Sequence, residues 1–243
     1  MYKRVVVALL AFIICGFAGY KIYRHYYPPY EGCFPRNPEE SYEVLALRIL
    51  VDNLMQGYEG NGKCLVIHYP VSKSHEKGLE VIAPSIRKAS KNKIKEVRLV
   101  PIKSSHEYIS EVYSSEYTAE DFNKVFEANS DCDLIINYVF LPAEKKELFK
   151  ITVFNTSEKK SKKTRFGYNI GNIGVFGSLV ESGVIHSMTA WKPNPSITEE
   201  PLPEGDKEAF DLKYLLINKY NLAEIKKQYP VLFPKHKTKD EGL

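Results

Sequence analysis

Two imidazoles, His68 and His75, flank a turn that also carries Ser72 and Ser74. Histidine suits acid–base work or ligand contacts near neutral pH, because its unperturbed pKa lies at about 6.5. The turn follows an apolar run at residues 64–69 that reads as a buried strand. Ligands of doubly wound sheets bind at the carboxyl ends of the strands, beside the point where strand order reverses. With the strand order 2-1-3-4-5 that point lies between the first and third strands. The turn then faces residues 141–144, and Glu144 joins His68, Ser72, Ser74 and His75 around a polar pocket. An ordinary solvent-facing loop is the alternative, and no third ligand makes the group a metal site. Trp191 ends a later strand at the same edge, where it either caps that pocket or packs under a proline-rich loop. His186, within that strand, reads as a satisfied core residue.

Two glycine-rich segments resemble phosphate-binding loops in composition only. Residues 57–64 nearly match the P-loop spacing, with Cys64 where a metal-binding hydroxyl belongs. A P-loop leaves a strand and opens a helix, so that helical N–H groups face phosphate. Here a helix precedes the glycines and a strand follows, which is the grammar of a helix cap and turn. Residues 167–177 lack the Gly-x-Gly-x-x-Gly spacing of nucleotide folds, and no strand is expected immediately before them. Neither a nucleophile elbow nor a His-Glu-x-x-His helix occurs. Asp131 and Asp133 alternate before a strand, as turn chemistry does. No cofactor grammar is present.

The elements that position these residues alternate. Asn37, Pro38, Glu39 and Glu40 have helix-start grammar, followed by Val44, Leu47, Leu50 and Leu54 at helical spacing and by Gly57 as terminator. Strand-like runs occupy residues 64–69, 97–102, 133–141, 149–154 and 184–191. Helical stretches at 74–89, broken by Gly78 and Pro84, at 118–127 and at 173–182 lie between most of them. After the proline-rich loop at 193–203, amphipathic helices are expected at 207–218 and 222–228. The expectation is an α/β fold: a single three-layer domain, residues 37–234, on a mainly parallel sheet of about five strands. Residues 235–243 form a charged tail.

The amino terminus decides location. Lys3 and Arg4 precede an apolar, charge-free run at residues 5–20, which Lys21 and Arg24 close. A helix over that run spans about 24 Å at ~1.5 Å per residue, and extension to Tyr23 brings it near the ~30 Å of a bilayer core. Tyr20, Tyr23, Tyr26 and Tyr27 suit an interfacial belt. Residues 1–24 are expected to be a transmembrane anchor, with membrane contact through residues 5–23, or an uncleaved signal. Cleavage near Gly16 and Ala18 is the rival and makes the chain secreted or periplasmic. Residues 25–36, rich in proline and tyrosine, form an extended stalk. A short basic start ahead of a first span favours the domain outside the cytoplasm.

The net charge of +4 over 243 residues is modest. The basic run 158–165 reads as a solvated loop, and it lacks the interleaved aromatics that nucleic-acid binding needs. Cys15, Cys33, Cys64 and Cys132 show no metal spacing; Cys64 and Cys132 open adjacent strands, either bridged or separately buried.

The order strand, helix, strand, then residues 133–142, then 149–154, then 179–193, resembles one lobe of a periplasmic-binding-protein-like domain. The resemblance covers residues 63–193, and the chain has room for one such lobe. It implies an exported small-ligand or sensory domain. With the anchor and the missing catalytic grammar, it sets the expectation of a membrane-tethered, non-enzymatic module that binds a small ligand or an envelope protein. An enzyme using His68 and His75, or a structural envelope component, is the alternative.

Overall fold

The computed structural model of the chain describes residues 42–71, 76–103, 117–142, 145–154, 164–169, 173–193, 195 and 205–233. The expected anchor, stalk and tail, most of the proline-rich loop, and Ser72, Ser74, His75 and Glu144 lie outside these residues. No helix among the described residues is long and apolar enough to cross a membrane.

Helix α1 (Tyr42–Leu54) leads into strand β1 (Lys63–His68). Then come α2 (Glu76–Glu80), α3 (Ile82–Ala89), β2 (Glu96–Pro101), α4 (Ala119–Ala128) and β3 (Leu134–Asn137). The chain continues through α5 (Lys145–Leu148), β4 (Arg165–Tyr168), α6 (Ile173–Glu181), β5 (Ser187–Trp191), α7 (Asp206–Lys213), β6 (Tyr214–Asn218) and α8 (Leu222–Gln228). One six-stranded sheet runs in the order β2-β1-β3-β4-β5-β6. The first five strands of that order are parallel, and β6 joins β5 antiparallel. The expected reversal between the first and third strands is present.

The sheet is buried on both faces because its strands are apolar on both faces, as a parallel sheet requires. Cys64, Val66, Leu134 and Ile136 meet Leu47, Leu50 and Leu54 of α1 and Ile82 and Ile86 of α3. On the other face Leu65, Ile67, Ile135 and Phe166 meet Phe122 and Phe126 of α4, with α6 and α8 completing the layer. Ala209 and Phe210 of α7 close against Leu45 and Ala46 of α1. The result is the expected three-layer architecture. Its helices end where the local chemistry ends them. The Thr118 hydroxyl and the Asp121 carboxylate form a reciprocal capping box at α4. Gly57 (φ +64°) turns the chain after α1, and the Arg165 guanidinium donates to the carbonyls of Leu54, Gln56 (2.5 Å) and Gly57 (2.6 Å).

Several elements differ from the sequence expectation. Residues 149–154 are not a strand but a turn and a 3-10 segment, Thr152–Phe154. The Asn123 carboxamide accepts from the Thr152 N–H (2.8 Å) and donates to the Lys150 carbonyl (2.9 Å), taking backbone groups that a ladder would have used. The fourth strand is instead Arg165–Tyr168, which runs into the glycine-rich segment and ends within it. Gly167 is required there, because a Cβ would stand 2.5 Å from Leu54 Cδ1. The expected helix at 207–218 is α7 followed by β6: Leu215 and Ile217 serve one core while Tyr214 serves the other, which is strand periodicity. The strand expected at 133–141 stops at Asn137, whose carboxamide bonds both the N–H (3.3 Å) and the carbonyl (2.6 Å) of Val139 and turns the chain. The stretch at 74–89 is two helices, α2 and α3. Cys64 and Cys132 are buried free thiols in the cores of opposite faces, so they do not bridge.

Candidate functional site

The carboxyl edge of the sheet, where β1 and β3 diverge toward opposite sides, is the switch point. His68 ends β1, and its carbonyl accepts from the Ile102 N–H (3.0 Å), so the chain leaving β2 is held beside it. On the other side the Tyr138 N–H donates to the Ile67 carbonyl (2.9 Å), which extends the β1–β3 pairing by one residue. The Tyr69 hydroxyl then accepts from the Phe140 N–H (2.7 Å). The rings of Tyr69 and Phe140 meet edge-on with centroids 6.1 Å apart, and Tyr69 also abuts Tyr117 at 6.0 Å. Phe140 stays 46% exposed. An aromatic ridge therefore crosses the gap between the two strands.

Beside the ridge lies a polar row. Alternation along the strands places His68, Tyr138, Asn169 and Thr189 on the α1 face at the carboxyl edge, one from each of four neighbouring strand ends. All four are buried. The Thr189 hydroxyl donates to Asn169 Oδ1 (2.8 Å), while Asn169 Nδ2 has no acceptor among the described residues. His68 Nδ1 lies 2.7 Å from the Tyr69 carbonyl; a carbonyl only accepts, so Nδ1 carries the proton. Burial lowers the His68 pKa and that hydrogen bond partly opposes the shift, so the ring is held neutral at neutral pH.

Of the residues singled out from the sequence, His68 is at this edge and Ser72, Ser74, His75 and Glu144 lie outside the described residues. Trp191 is at the same edge but three strand spacings from His68, about 14 Å at ~4.8 Å each. Its ring packs on Tyr214 with centroids 4.6 Å apart, and Trp191 and His68 are not brought together. His186 is not a core residue: it is exposed just before β5, and its Nδ1 accepts from the Phe166 N–H (3.3 Å). Sequence reasoning missed Tyr69, Phe140, Asn169 and Thr189. The one signal available was a bulky aromatic just beyond each of the two diverging strands.

The opposite, amino edge carries structure rather than a pocket. Asp133 accepts from the Tyr58 hydroxyl and the Asn61 N–H, which puts a carboxylate where a P-loop would hold phosphate. Both that bond and burial push the Tyr58 pKa up, burial being the larger cause. Asp131 takes both terminal nitrogens of Arg98 (2.6 and 2.8 Å) and Lys63 Nζ (2.6 Å), and these partners hold its pKa far below the carboxylate range. Asp133 is thus turn chemistry, as the spacing indicated, while Asp131 is held in ion pairs that the spacing did not reveal. Residues 158–163 of the basic run are outside the described residues; Arg165 opens β4. Among the described residues, no three of His, Cys, Asp and Glu converge on one point.

No family model matches the chain, and no curated protein does. Solved structures that match include AraP, an arabinose-binding protein from Geobacillus stearothermophilus, at 12% identity and a TM-score of 0.41 over 75% of this chain and 62% of that one. A periplasmic solute-binding protein of an ABC transporter from Actinobacillus succinogenes, with bound D-allose, matches at 11% and 0.44 over 74% and 61%. A periplasmic ribose ABC transporter protein from Conexibacter woesei matches at 9% and 0.44 over 77% and 60%. The chain spans less than two thirds of the length of each of these proteins. At this low identity the likeness to these three structures is one of mixed α/β architecture alone.

Proposed function

We propose that this chain is a non-enzymatic binding module whose small-molecule site lies at the carboxyl edge between β1 and β3. The observation that carries the reading is a half-exposed aromatic ridge at the switch point, with the buried Asn169 amide, which has no acceptor among the described residues, just past the end of the adjoining strand β4. Phe140 and Tyr69 offer a face for a flat apolar surface. Asn169 Nδ2 offers a hydrogen bond to a ligand oxygen, and burial of an unpaired amide is costly enough to favour one that supplies it. The ligand class is a small polar molecule with one ring or flat face and acceptor oxygens. His75, Ser72, Ser74 and Glu144 belong to the rim of this site in the proposal, since the turn after β1 and the segment after β3 both start at it. The amino-terminal anchor and stalk would hold the module on the outer side of a membrane, where it samples exported or extracellular solutes.

The test is a thermal-shift screen of the full chain against monosaccharides, nucleosides, amino acids and small carboxylates. One class is expected to raise the midpoint, and Asn169→Ala is expected to abolish that rise. A screen with no stabilising class, or a rise unaffected by Asn169→Ala, refutes the site.

A further inference from the structure

The turn joining α3 to β2 carries Arg87, Lys88, Lys91, Lys93 and Lys95, all exposed, with no acid among residues 87–95. None of the five makes an ion pair among the described residues. The acids of the adjoining strand ends are already used: Glu96 pairs with Arg98 (2.6 Å), and Asp131 with Arg98 and Lys63 (both 2.6 Å). Glu59, on the neighbouring loop, sets one exposed acid against five cations.

The backbone of this turn gives an independent sign that the lysines are wanted. The Asn92 N–H donates to the Arg87 carbonyl (2.8 Å) and the Lys91 N–H to the Lys88 carbonyl (3.1 Å), the bond pair that closes a helix at a left-handed residue. Lys91 occupies that position with φ 51°, and Asn92 follows at φ 60°. Glycine takes this conformation without steric cost, and asparagine tolerates it; lysine has no backbone reason to be there. A strained position that keeps a charged side chain points to a use for that charge.

We propose that this turn is a docking surface for an anionic lipid bilayer. The chemistry selects a diffuse planar anion over the rivals. No aromatic side chain occurs between residues 82 and 98, so bases have nothing to stack on. Four of the five cations are lysines, which act as point charges rather than as bidentate forks. The turn also sits at the negative end of the α3 dipole, which disfavours a discrete anion held against the backbone. Lysine ammoniums reaching away from that end to a charged plane avoid the penalty. Reach is sufficient. Tyr42 starts α1 at the carboxyl edge, and α1 runs about 20 Å to the amino edge at ~1.5 Å per residue. Seventeen residues, 25–41, can span at most roughly 55 Å at ~3.3 Å each, so a chain anchored as the proposed function has it can lay the turn on its own bilayer.

The test places the full chain with vesicles of phosphatidylcholine alone and of phosphatidylcholine containing about one third phosphatidylglycerol, and reads amine acetylation by peptide mass spectrometry. Lys88, Lys91, Lys93 and Lys95 are expected to react about fivefold more slowly on anionic vesicles at low salt. The protection is expected to vanish near ~0.5 M salt. Lys227 on α8 is expected to react equally throughout. Because the readout is the difference between anionic and neutral vesicles, it does not depend on how the chain is anchored or on what the switch-point site binds. Lys91→Gly separates use from structure: relief of the left-handed lysine is expected to raise the unfolding midpoint by roughly 2–4 °C. The same variant is expected to need about fivefold more anionic lipid for half-protection of its neighbours. Equal labelling on both vesicle types overturns the proposal, as does a Lys91→Gly variant that is stabilised with protection intact. Protection by an added oligonucleotide but not by anionic vesicles also overturns it.

Discussion

Replacing Gly167 by alanine tests the packing that holds α1 on the sheet. The added methyl would stand 2.5 Å from Leu54 Cδ1 and 3.5 Å from Leu50 Cγ and Cδ2. Carbon atoms prefer about 3.5–4.0 Å, so Leu54 must yield by roughly an ångström. Neither partner can retreat easily. Strand β4 is fixed between β3 and β5, Leu54 and Leu50 are buried, and Arg165 ties the Leu54 carbonyl down. Overpacking of this kind costs about 1–3 kcal/mol. Leu54→Ala alone removes buried methyls and costs about 2–5 kcal/mol. In the Gly167→Ala/Leu54→Ala double variant the new methyl on β4 occupies the vacated space, so the two losses overlap. The double variant is expected to be more stable than the sum of the singles by about 1–2 kcal/mol. Urea unfolding of all four proteins reads this as midpoint changes at constant slope. A neutral Gly167→Ala, or strict additivity in the double variant, refutes the close approach of α1 to β4.

Two further perturbations follow from local chemistry. Thr118→Ala removes the hydroxyl half of the α4 capping box and is expected to cost about 1 kcal/mol, read as a lower urea midpoint. His68 has a folded pKa below its ordinary 6.5, so between those values the unfolded chain binds the proton that the folded chain refuses. Stability is therefore complete above about pH 6.5 and falls as pH drops through that value toward the folded pKa. Urea midpoints measured from about pH 7.5 to 5.5 are expected to fall less steeply in His68→Gln than in the parent. A residual slope is expected, because partial desolvation of the imidazole ring and the nearby Arg165 cation also lower the pKa of His186, although the residue as a whole is exposed.

The architecture was legible because apolar runs mark parallel strands, and the reversal between the first and third strands follows from a common doubly wound order. What escaped reading was set by contacts distant in sequence. Residues 149–154 alternate like a strand, but Asn123, a helix residue far upstream, takes their backbone bonds. Arg165–Tyr168 is too short and too interrupted by Gly167 to announce itself, and the glycine makes sense only against Leu54. Residues 214–218 fit either a helical or a strand period, and pairing with β5 decides between them. The site was half legible. Placing it after β1 needed only topology, whereas Asn169 and Thr189 are joined to it by a register no local pattern encodes. Trp191 was placed on the right edge, but edge alone does not give distance along the sheet.

The most direct measurement of the central claim compares two exposed phenylalanines by calorimetric titration of the ligand class found in the stability screen. Phe140 stands on the ridge between β1 and β3, while Phe149, 59% exposed, follows α5 and takes no part in the Tyr69–Phe140–Tyr117 ring contacts. Loss of a stacked ring contributing about 0.5–1.5 kcal/mol weakens binding by roughly two- to tenfold. The expected result is such a loss in Phe140→Ala with the affinity of Phe149→Ala unchanged. Equal affinity in the two variants and the parent would contradict a binding site at the switch point.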